Sequence, residues 1–373
     1  MTIDQLLATA KEQKASDLHI SVGIRPKCRV NGVLHEMEEY DVVTPDLAKA
    51  IIEPMFRPHQ QAAINEKGEI DFAYSTKELG RFRVNAFKQK GCYSAVLRIV
   101  ETVIPSAGQL GLPWSTIDLT KKKRGLVLVT GPTGSGKSTT LYTELSEINS
   151  DDVNIITVED PVEYTLEGIN QVNVNSKAGM TFASALRSIL RQDPDVIMIG
   201  EIRDNETAEI AIKAAITGHL VMSTLHTNDA ASSVTRLIDM GVEPFLASTS
   251  LTGIIAQRLV RRICPYCKEE YEASSYEKKI LRQPEDKPLK IYKGKGCGRC
   301  HNSGYYGRVG LYEVMEMDRE LKDAINRTKD PNVLKDIARK NGMTTLEEEC
   351  IKHVLEGLTT VKELATIAMI KEG

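Results

Sequence analysis

Apolar positions recur along the chain in two rhythms, and the change of rhythm divides it. Through about residue 100 the pattern is mixed. Leu6, Leu7 and Ala10 share one side of a helical projection and predict a first amphipathic helix. Residues 17–22 alternate polar and apolar, as a half-buried strand does. Arg29-Val30-Asn31-Gly32-Val33-Leu34 reads as strand, Asn-Gly turn, strand. Residues 44–55 read as a helix, with Thr44 as N-cap, Pro45 at the first helical position and Asp46 after it. Residues 70–74, 80–88 and 93–99 read as further strands.

Beyond residue 120 the rhythm becomes strand and helix in alternation. Residues 125–130, 154–158, 196–199 and 220–224 are short continuous apolar runs. Between them, residues 138–148, 182–190 and 204–217 are helix-like, the last with Asp204 as N-cap, Glu206 in its first turn and Gly218 as its stop. Apolar strands separated by helices imply a parallel sheet covered on both faces. A helical region runs from about residue 320 to the end, broken at Asn341-Gly342 and Glu356-Gly357. Gly and Pro punctuate residues 105–113. The expected organisation is therefore α/β: an α+β domain over 1–104, a linker over 105–120, an α/β core over 121–257, a cysteine-bearing module over 258–310 and a helical region over 311–373.

Composition narrows the classes. A chain of 373 residues suggests two or three domains. With 41% hydrophobic and 27% charged residues, wholesale disorder is excluded. Lys and Arg number 48 against 51 Asp and Glu, a formal charge of −3, so a strongly basic nucleic-acid binder is not expected. Aromatics are 5%, with Trp114 the single tryptophan, which argues against base-stacking platforms and an aromatic membrane belt. No run approaches the roughly 20 apolar residues that span a bilayer. Residues 1–14 carry no apolar signal core, so a cytosolic chain is expected. Of seven cysteines, Cys28, Cys92 and Cys350 are scattered, while Cys264/Cys267 and Cys297/Cys300 form two pairs. The odd count argues against a disulfide framework.

The chemistry begins at Gly131-Pro132-Thr133-Gly134-Ser135-Gly136-Lys137-Ser138, which matches G-x-x-x-x-G-K-[ST] between a buried strand and a helix opening through Thr139. Glycines keep side chains out of the way so that successive backbone N–H groups can wrap phosphates. Lys137 supplies a point charge at the outer phosphates, and Ser138 offers a hydroxyl to Mg²⁺. The run Val196-Ile197-Met198-Ile199-Gly200-Glu201 is an apolar strand ending in an acid, with Gly200 where a metal-binding Asp is usual. Glu201 is thus expected to act on Mg²⁺ through water. Glu159, Asp160 and Glu163 follow the strand at 155–158, and His226 follows the strand at 220–224, all at the carboxyl edge where open α/β sheets bind ligands. Solvated acids at a strand end and a structural histidine are the plain alternatives. The two C-x-x-C pairs, 29 residues apart, can converge as four thiolates around a structural Zn²⁺. From Arg258 to Gly310 there are 13 Lys or Arg against 6 Asp or Glu, a basic face suited to an anionic membrane surface or an acidic partner, or simply to solvent.

Residues 131–140, 156–164, 191–204 and 217–228 occur in the order of four motifs, and together they resemble the secretion ATPases that drive type IV pili and type II secretion. The likeness runs over nearly the whole chain from about Ile3. It implies a RecA-like P-loop ATPase core with a PAS-like N-terminal domain. It makes residues 131–138 the Walker A loop binding ATP, Glu163 the catalytic base, Glu159 part of the same acidic box and Gly200-Glu201 an atypical Walker B. His219 and His226 become the two histidines of a histidine box. Arg81, Arg83 and Arg98 are expected to reach the triphosphate when the first domain closes. The resemblance also implies a homo-hexamer acting on an inner-membrane platform protein, peripheral at the cytoplasmic face of that membrane and without nucleic acid. Assembly ATPases carry the tetracysteine module and retraction ATPases generally lack it, so pilus extension is expected over retraction, with a nucleic-acid motor as the more distant rival. Longer relatives carry a further N-terminal domain, so either recruitment is expected to use another surface or the chain is expected to belong to a shorter subfamily serving a simpler pilus or competence-like machine.

Overall fold

The computed structural model describes residues 1–30, 32–100 and 103–369, the side chains of Ala368 and Met369 excepted. Asn31 of the expected turn, and the last residues of the expected C-terminal helices, lie outside the described residues. The chain divides into two compact units, Met1–Val103 and Ile104–Gly373.

The first unit is an antiparallel sheet of six strands: β1 (Asp17–Ile20), β2 (Lys27–Val30), β3 (Val33–Glu36), β4 (Glu69–Thr76), β5 (Gly80–Gln89) and β6 (Cys92–Val100), ordered β3-β2-β1-β6-β5-β4. Helices α1 (Ile3–Glu12), α2 (Pro45–Ile52) and α3 (Pro58–Lys67) accompany it. Thr2 and Gln5 close a capping box on α1, and the Thr44 hydroxyl caps α2 at Leu47 N–H. Leu6, Leu7, Ile51, Ile52, Phe82 and Leu97 are fully or nearly fully buried in one core. Alternation along β5 puts Phe82 and Val84 into that core and Arg81 and Arg83 on the opposite face. There Arg83 stands across from Arg98, Arg98 across from Asp17, and Asp17 across from Arg29. Asp17 accepts from Arg98 Nε at 3.0 Å and from the Ser16 hydroxyl at 2.7 Å. Burial works against its charge, but these bonds hold its carboxyl below the ordinary value. Arg98 is thus engaged within its own sheet, while Arg81 and Arg83 have no ion pair among the described residues.

The second unit is built on a mixed sheet of seven strands: β7 (Gly125–Thr130), β8 (Ile155–Glu159), β9 (Asn170–Asn173), β10 (Val196–Ile199), β11 (Leu220–Leu225), β12 (Leu251–Ile263) and β15 (Tyr305–Glu316), ordered β15-β12-β7-β11-β10-β8-β9. All neighbours are parallel except β12 and β15. Every residue of β7, β8, β10 and β11 is buried, the signature of a sheet covered on both faces. One face packs α7 (Phe182–Ile189), α8 (Asn205–Thr217) and α9 (Ala230–Asp239) through Leu186, Ala208, Ile212 and Val234. The other packs α5 (Trp114–Thr120) and α6 (Lys137–Ile148) through Leu119, Leu141 and Leu145. A two-stranded ribbon, β13 (Lys268–Glu272) and β14 (Lys290–Gly294), lies between β12 and β15 in the chain. After α10 (Pro244–Ser250) and α11 (Ser275–Ile280), the C-terminal helices are α12 (Arg319–Ile325), α13 (Pro331–Lys340), α14 (Leu346–Leu355) and α15 (Val361–Met369).

Two expectations are corrected. Residues 105–120 are not a free linker. They form α4 (Ala107–Leu110) and α5, with Ser106 and Gln109 closing a capping box. The Thr143 and Tyr312 hydroxyls donate to the carbonyls of Pro105 and Leu110 at 2.9 and 3.1 Å, tying the segment to the core. The borders drawn at 257 and 310 also cut through continuous packing. Strands β12 and β15 cross them, and one hydrophobic cluster joins Leu126, Ile291, Leu311, Leu334 and Leu364.

One core group has no evident match. Glu144 on α6 is fully buried, and neither carboxylate oxygen has a hydrogen-bond partner among the described residues. Burial raises its pKa well above the ordinary 4.5, and burial with the Glu144 charge pushes neighbouring Tyr312 up to about 12. The native chain keeps a proton on Glu144 that the unfolded chain releases above 4.5, so native stability falls as pH rises past that value. Glu144→Leu should therefore stabilise the chain, with an advantage that widens upward in pH by at most about 1.4 kcal/mol per unit. Thermal denaturation at about pH 6 and about pH 8 checks this, and a gap that narrows with pH contradicts it.

Candidate phosphate-binding site

The parallel register decides what meets at the carboxyl edge. Thr130 at the end of β7 pairs with Leu225 at the end of β11. Ile199 at the end of β10 pairs with Ser223 and with Val158. The residues that follow, Gly131, His226, Gly200-Glu201 and Asp160, therefore emerge side by side.

Residues 131–136 turn back from β7 into α6. Gly131 adopts φ +148°, and a Cβ there would lie 2.4 Å from the Gln257 carbonyl oxygen, so only glycine fits. Gln257, buried on β12, supports the loop from below and accepts the Thr140 hydroxyl at 2.7 Å. Pro132, Thr133 and Gly134 are exposed at the crest, while Gly136 caps α6 and Ser138 and Thr139 open its first turn, half-buried. Lys137 is buried and donates to the carbonyls of Gly131 and Pro132 at 2.8 and 3.0 Å. Burial holds its ammonium below the ordinary pKa, opposed by the Glu201 carboxylate. The Ser135 hydroxyl is buried without a partner among the described residues. A cation, an unpaired hydroxyl and a helix N-terminus gathered in one loop suit a multiply charged anion.

The acids stand opposite. Ser138, Tyr142, Glu159, Glu163, Gly200 and Glu201 line one cavity of about 80 Å³. The donor set, a hydroxyl and carboxylates, fits a hard divalent cation. Glu163 and Asp160 are exposed, but Glu159 is buried and already committed. It accepts from the Tyr142 and Thr157 hydroxyls and, at 3.3 Å, from Gln171 Nε2. Burial raises its pKa against those bonds. Glu159, expected among the nucleotide-binding residues, lines the cavity and also anchors the acidic loop. Glu201 is bridged by Arg203 at 2.6 Å, with His226 Nε2 at 3.6 Å. Burial first, then the Lys137 ammonium, push the His226 imidazole below its ordinary value, so it is neutral near physiological pH. The Thr227 N–H donates to Thr130 Oγ1 at 3.1 Å, fastening the His226 loop to the end of β7.

His219 is not in this site. It precedes Leu220, which pairs with Gly125 at the start of β7, and its Nδ1 lies 3.0 Å from the Ala214 carbonyl. It therefore sits at the amino edge, roughly 20 Å away along a strand rising about 3.3 Å per residue. Arg81, Arg83 and Arg98 belong to the first unit described above. Arg203 and Thr227, which support the site, lie within the motif segments 191–204 and 217–228, although no role is expected of them there; Gln257 carries no motif signal and comes from a strand more than a hundred residues on.

The four paired cysteines come together. Their sulfurs lie within 4.8 Å of one another, with Cys264–Cys297 at 3.9 Å, Cys267–Cys300 at 3.8 Å and Cys297–Cys300 at 3.7 Å. A tetrahedron with metal–sulfur bonds of about 2.3 Å has edges of about 3.8 Å, so the donor set fits Zn²⁺ with no open position. Gly296 N–H donates to Cys267 Sγ at 3.3 Å, as suits a metal-bound thiolate.

The sequence profile described as "Type II/IV secretion system protein" matches residues 1–366. Type II secretion system protein E of Pseudomonas aeruginosa is 42% identical over 378 residues, 98% of this chain and 74% of that protein. Type IV pilus assembly ATPase PilB of Thermus thermophilus is 40% identical over 97% of this chain and 42% of its own length. Among solved structures, the pilus retraction motor PilT with bound ADP superposes with a TM-score of 0.77 at 32% identity, over 98% of this chain and 97% of that one.

Proposed function

The chain belongs to the type II/IV secretion system protein family and is an ATP-hydrolysing enzyme, and we propose that it is an assembly motor, extending a type IV pilus or a type II secretion pseudopilus. The observation that carries this reading is the meeting of Ser138, the last residue of the 131–138 loop, with Glu163 and Glu201 at one cavity on the carboxyl edge. The loop amides and the α6 N-terminus hold the phosphates. Lys137 exchanges the Gly131 and Pro132 carbonyls for phosphate oxygens. Ser138 directly, and Glu201 through water, would hold Mg²⁺, which neutralises phosphate charge when bound. Glu163 takes the proton from the attacking water. His226, kept neutral, offers a hydrogen bond to the terminal phosphate.

Extension is supported by the tetracysteine cluster and by the higher identity to the assembly and secretion proteins. Retraction is the second reading, favoured by the likeness to PilT over nearly the whole chain. In either reading the working form is a homo-hexamer, peripheral at the cytoplasmic face of the inner membrane and engaged with a platform protein there. No helix among the described residues is long and apolar enough to cross a membrane.

Three outcomes are expected. Lys137→Ala abolishes triphosphate binding or turnover, whereas Glu163→Gln retains binding and lowers hydrolysis by about 10²–10⁴-fold. Nucleotide affinity and phosphate release separate the two, and an active Glu163→Gln enzyme moves the base elsewhere. Elemental analysis after exhaustive dialysis finds one Zn²⁺ per chain, and Cys297→Ser lowers the melting temperature. Native-state reactivity of all four thiols contradicts the zinc assignment. Cells lacking the protein lose surface filaments, while an excess of filaments favours retraction.

A further inference from the structure

We propose that Tyr142 is a positioning residue for Glu163, the link by which the phosphate-loop helix aims the base. The inference rests on the reading of Glu163 as that base. Tyr142 is 1% exposed on α6, one turn after Ser138. Its hydroxyl accepts the Glu163 backbone N–H at 3.1 Å and donates its own proton to Glu159 Oε2. A phenol has one proton to give, so the direction of both bonds is fixed: the amide must donate and the carboxylate must accept.

What surrounds this hydroxyl is rigid. Glu159 is 4% exposed, and its other oxygen takes the Thr157 hydroxyl at 2.5 Å and Gln171 Nε2 at 3.3 Å. The Tyr142 ring stands edge-on to Tyr164 with centroids 5.0 Å apart. The acidic loop is fastened at two more backbone points: Val162 N–H to Asn173 Oδ1 and Leu166 N–H to Gln171 Oε1, both at 2.8 Å. The Glu163 carboxylate, in contrast, has no hydrogen-bond or ion-pair partner among the described residues. Its direction is therefore set by its backbone, and Tyr142 is the group that holds that backbone at Glu163 itself.

The link joins two parts of the reaction. Ser138 and Tyr142 are four residues apart on one helix, about 6 Å along its axis. A displacement of the phosphate loop moves both together, and through the Tyr142 hydroxyl it moves Glu163. Misplacement of a reacting group by about 1 Å can cost on the order of 10²-fold in rate without loss of substrate binding.

The test is steady-state ATP hydrolysis by the full chain with Mg²⁺. Tyr142→Phe keeps the ring and removes both bonds. We expect kcat to fall by about tenfold or more with KM for ATP within about twofold. Thr157→Val removes a different donor from Glu159 without reaching Glu163, and should keep near-normal kcat. In a Glu163→Gln background, Tyr142→Phe should have no further effect on residual hydrolysis. Equal losses in Tyr142→Phe and Thr157→Val, or an undiminished Tyr142 effect when Glu163 is already Gln, overturn the proposal. In the unaltered chain, hydrogen exchange gives a reading that needs no variant: the Glu163 amide is protected, and exchange as free as that of exposed Asp160 overturns the assignment. Full activity of Glu163→Gln alone removes the base itself, whereas an inactive Glu163→Gln beside a fully active Tyr142→Phe removes only the positioning role.

Discussion

In-register parallel pairing of β8, β10, β11 and β7 is the constraint on which everything else rests. Parallel strands that start level end level, so the loops after four buried strands leave the sheet together. A phosphate loop, two acidic segments and a histidine widely separated in sequence then share one edge with no need for long side chains. Full burial of these strands fixes the register, because a slip of one residue would exchange every side chain between the two covered faces. The site's precision is a property of the sheet more than of the loops.

Around that edge, charge is balanced locally. Lys137 is buried, yet it has two loop carbonyls as acceptors and the Glu201 carboxylate nearby. Glu201 is matched by Arg203, and buried Glu159 by three donors. Of the acids lining the cavity, Asp160 and Glu163 keep exposed carboxylates with no hydrogen-bond or ion-pair partner among the described residues, which leaves Glu163 free to work on water. Behind the loop, Gln257 and Thr140 form a neutral hydrogen-bonded support, so the phosphate loop rests on polar contacts that carry no competing charge.

Much of the second unit was legible because fully buried strands read as continuous apolar runs, and because the phosphate-loop and C-x-x-C spacings encode geometry directly. The structure bears out the α/β fold and the gathering of four cysteines. Other features depend on partners far away in sequence. Residues 105–120 looked like a linker because α4 is too short to show a period, and its fastening to Thr143 and Tyr312 is purely tertiary. The pairing of Arg98 with Asp17 is not visible in the sequence because its partner lies 81 residues earlier. Strand direction alone places His219 at the amino edge, since it precedes its apolar run, and there the family motif led away from the geometry. Nothing in the sequence singles out Tyr142 within the helix-like run 138–148, because Glu159 and Glu163, 17 and 21 residues on, give its hydroxyl a role only in three dimensions.

The central claim is that Glu163, and not its acidic neighbours, faces the attacking water while Ser138 and Glu201 serve the metal. The most direct measurement is a structure of the full chain with Mg²⁺, ADP and a planar phosphate mimic. The account predicts a water in line with the mimic, held by the Glu163 carboxylate within about 2.6–3.2 Å, and the Ser138 hydroxyl on the metal. Glu163 turned away, with Glu201 or Glu159 holding that water, would contradict it.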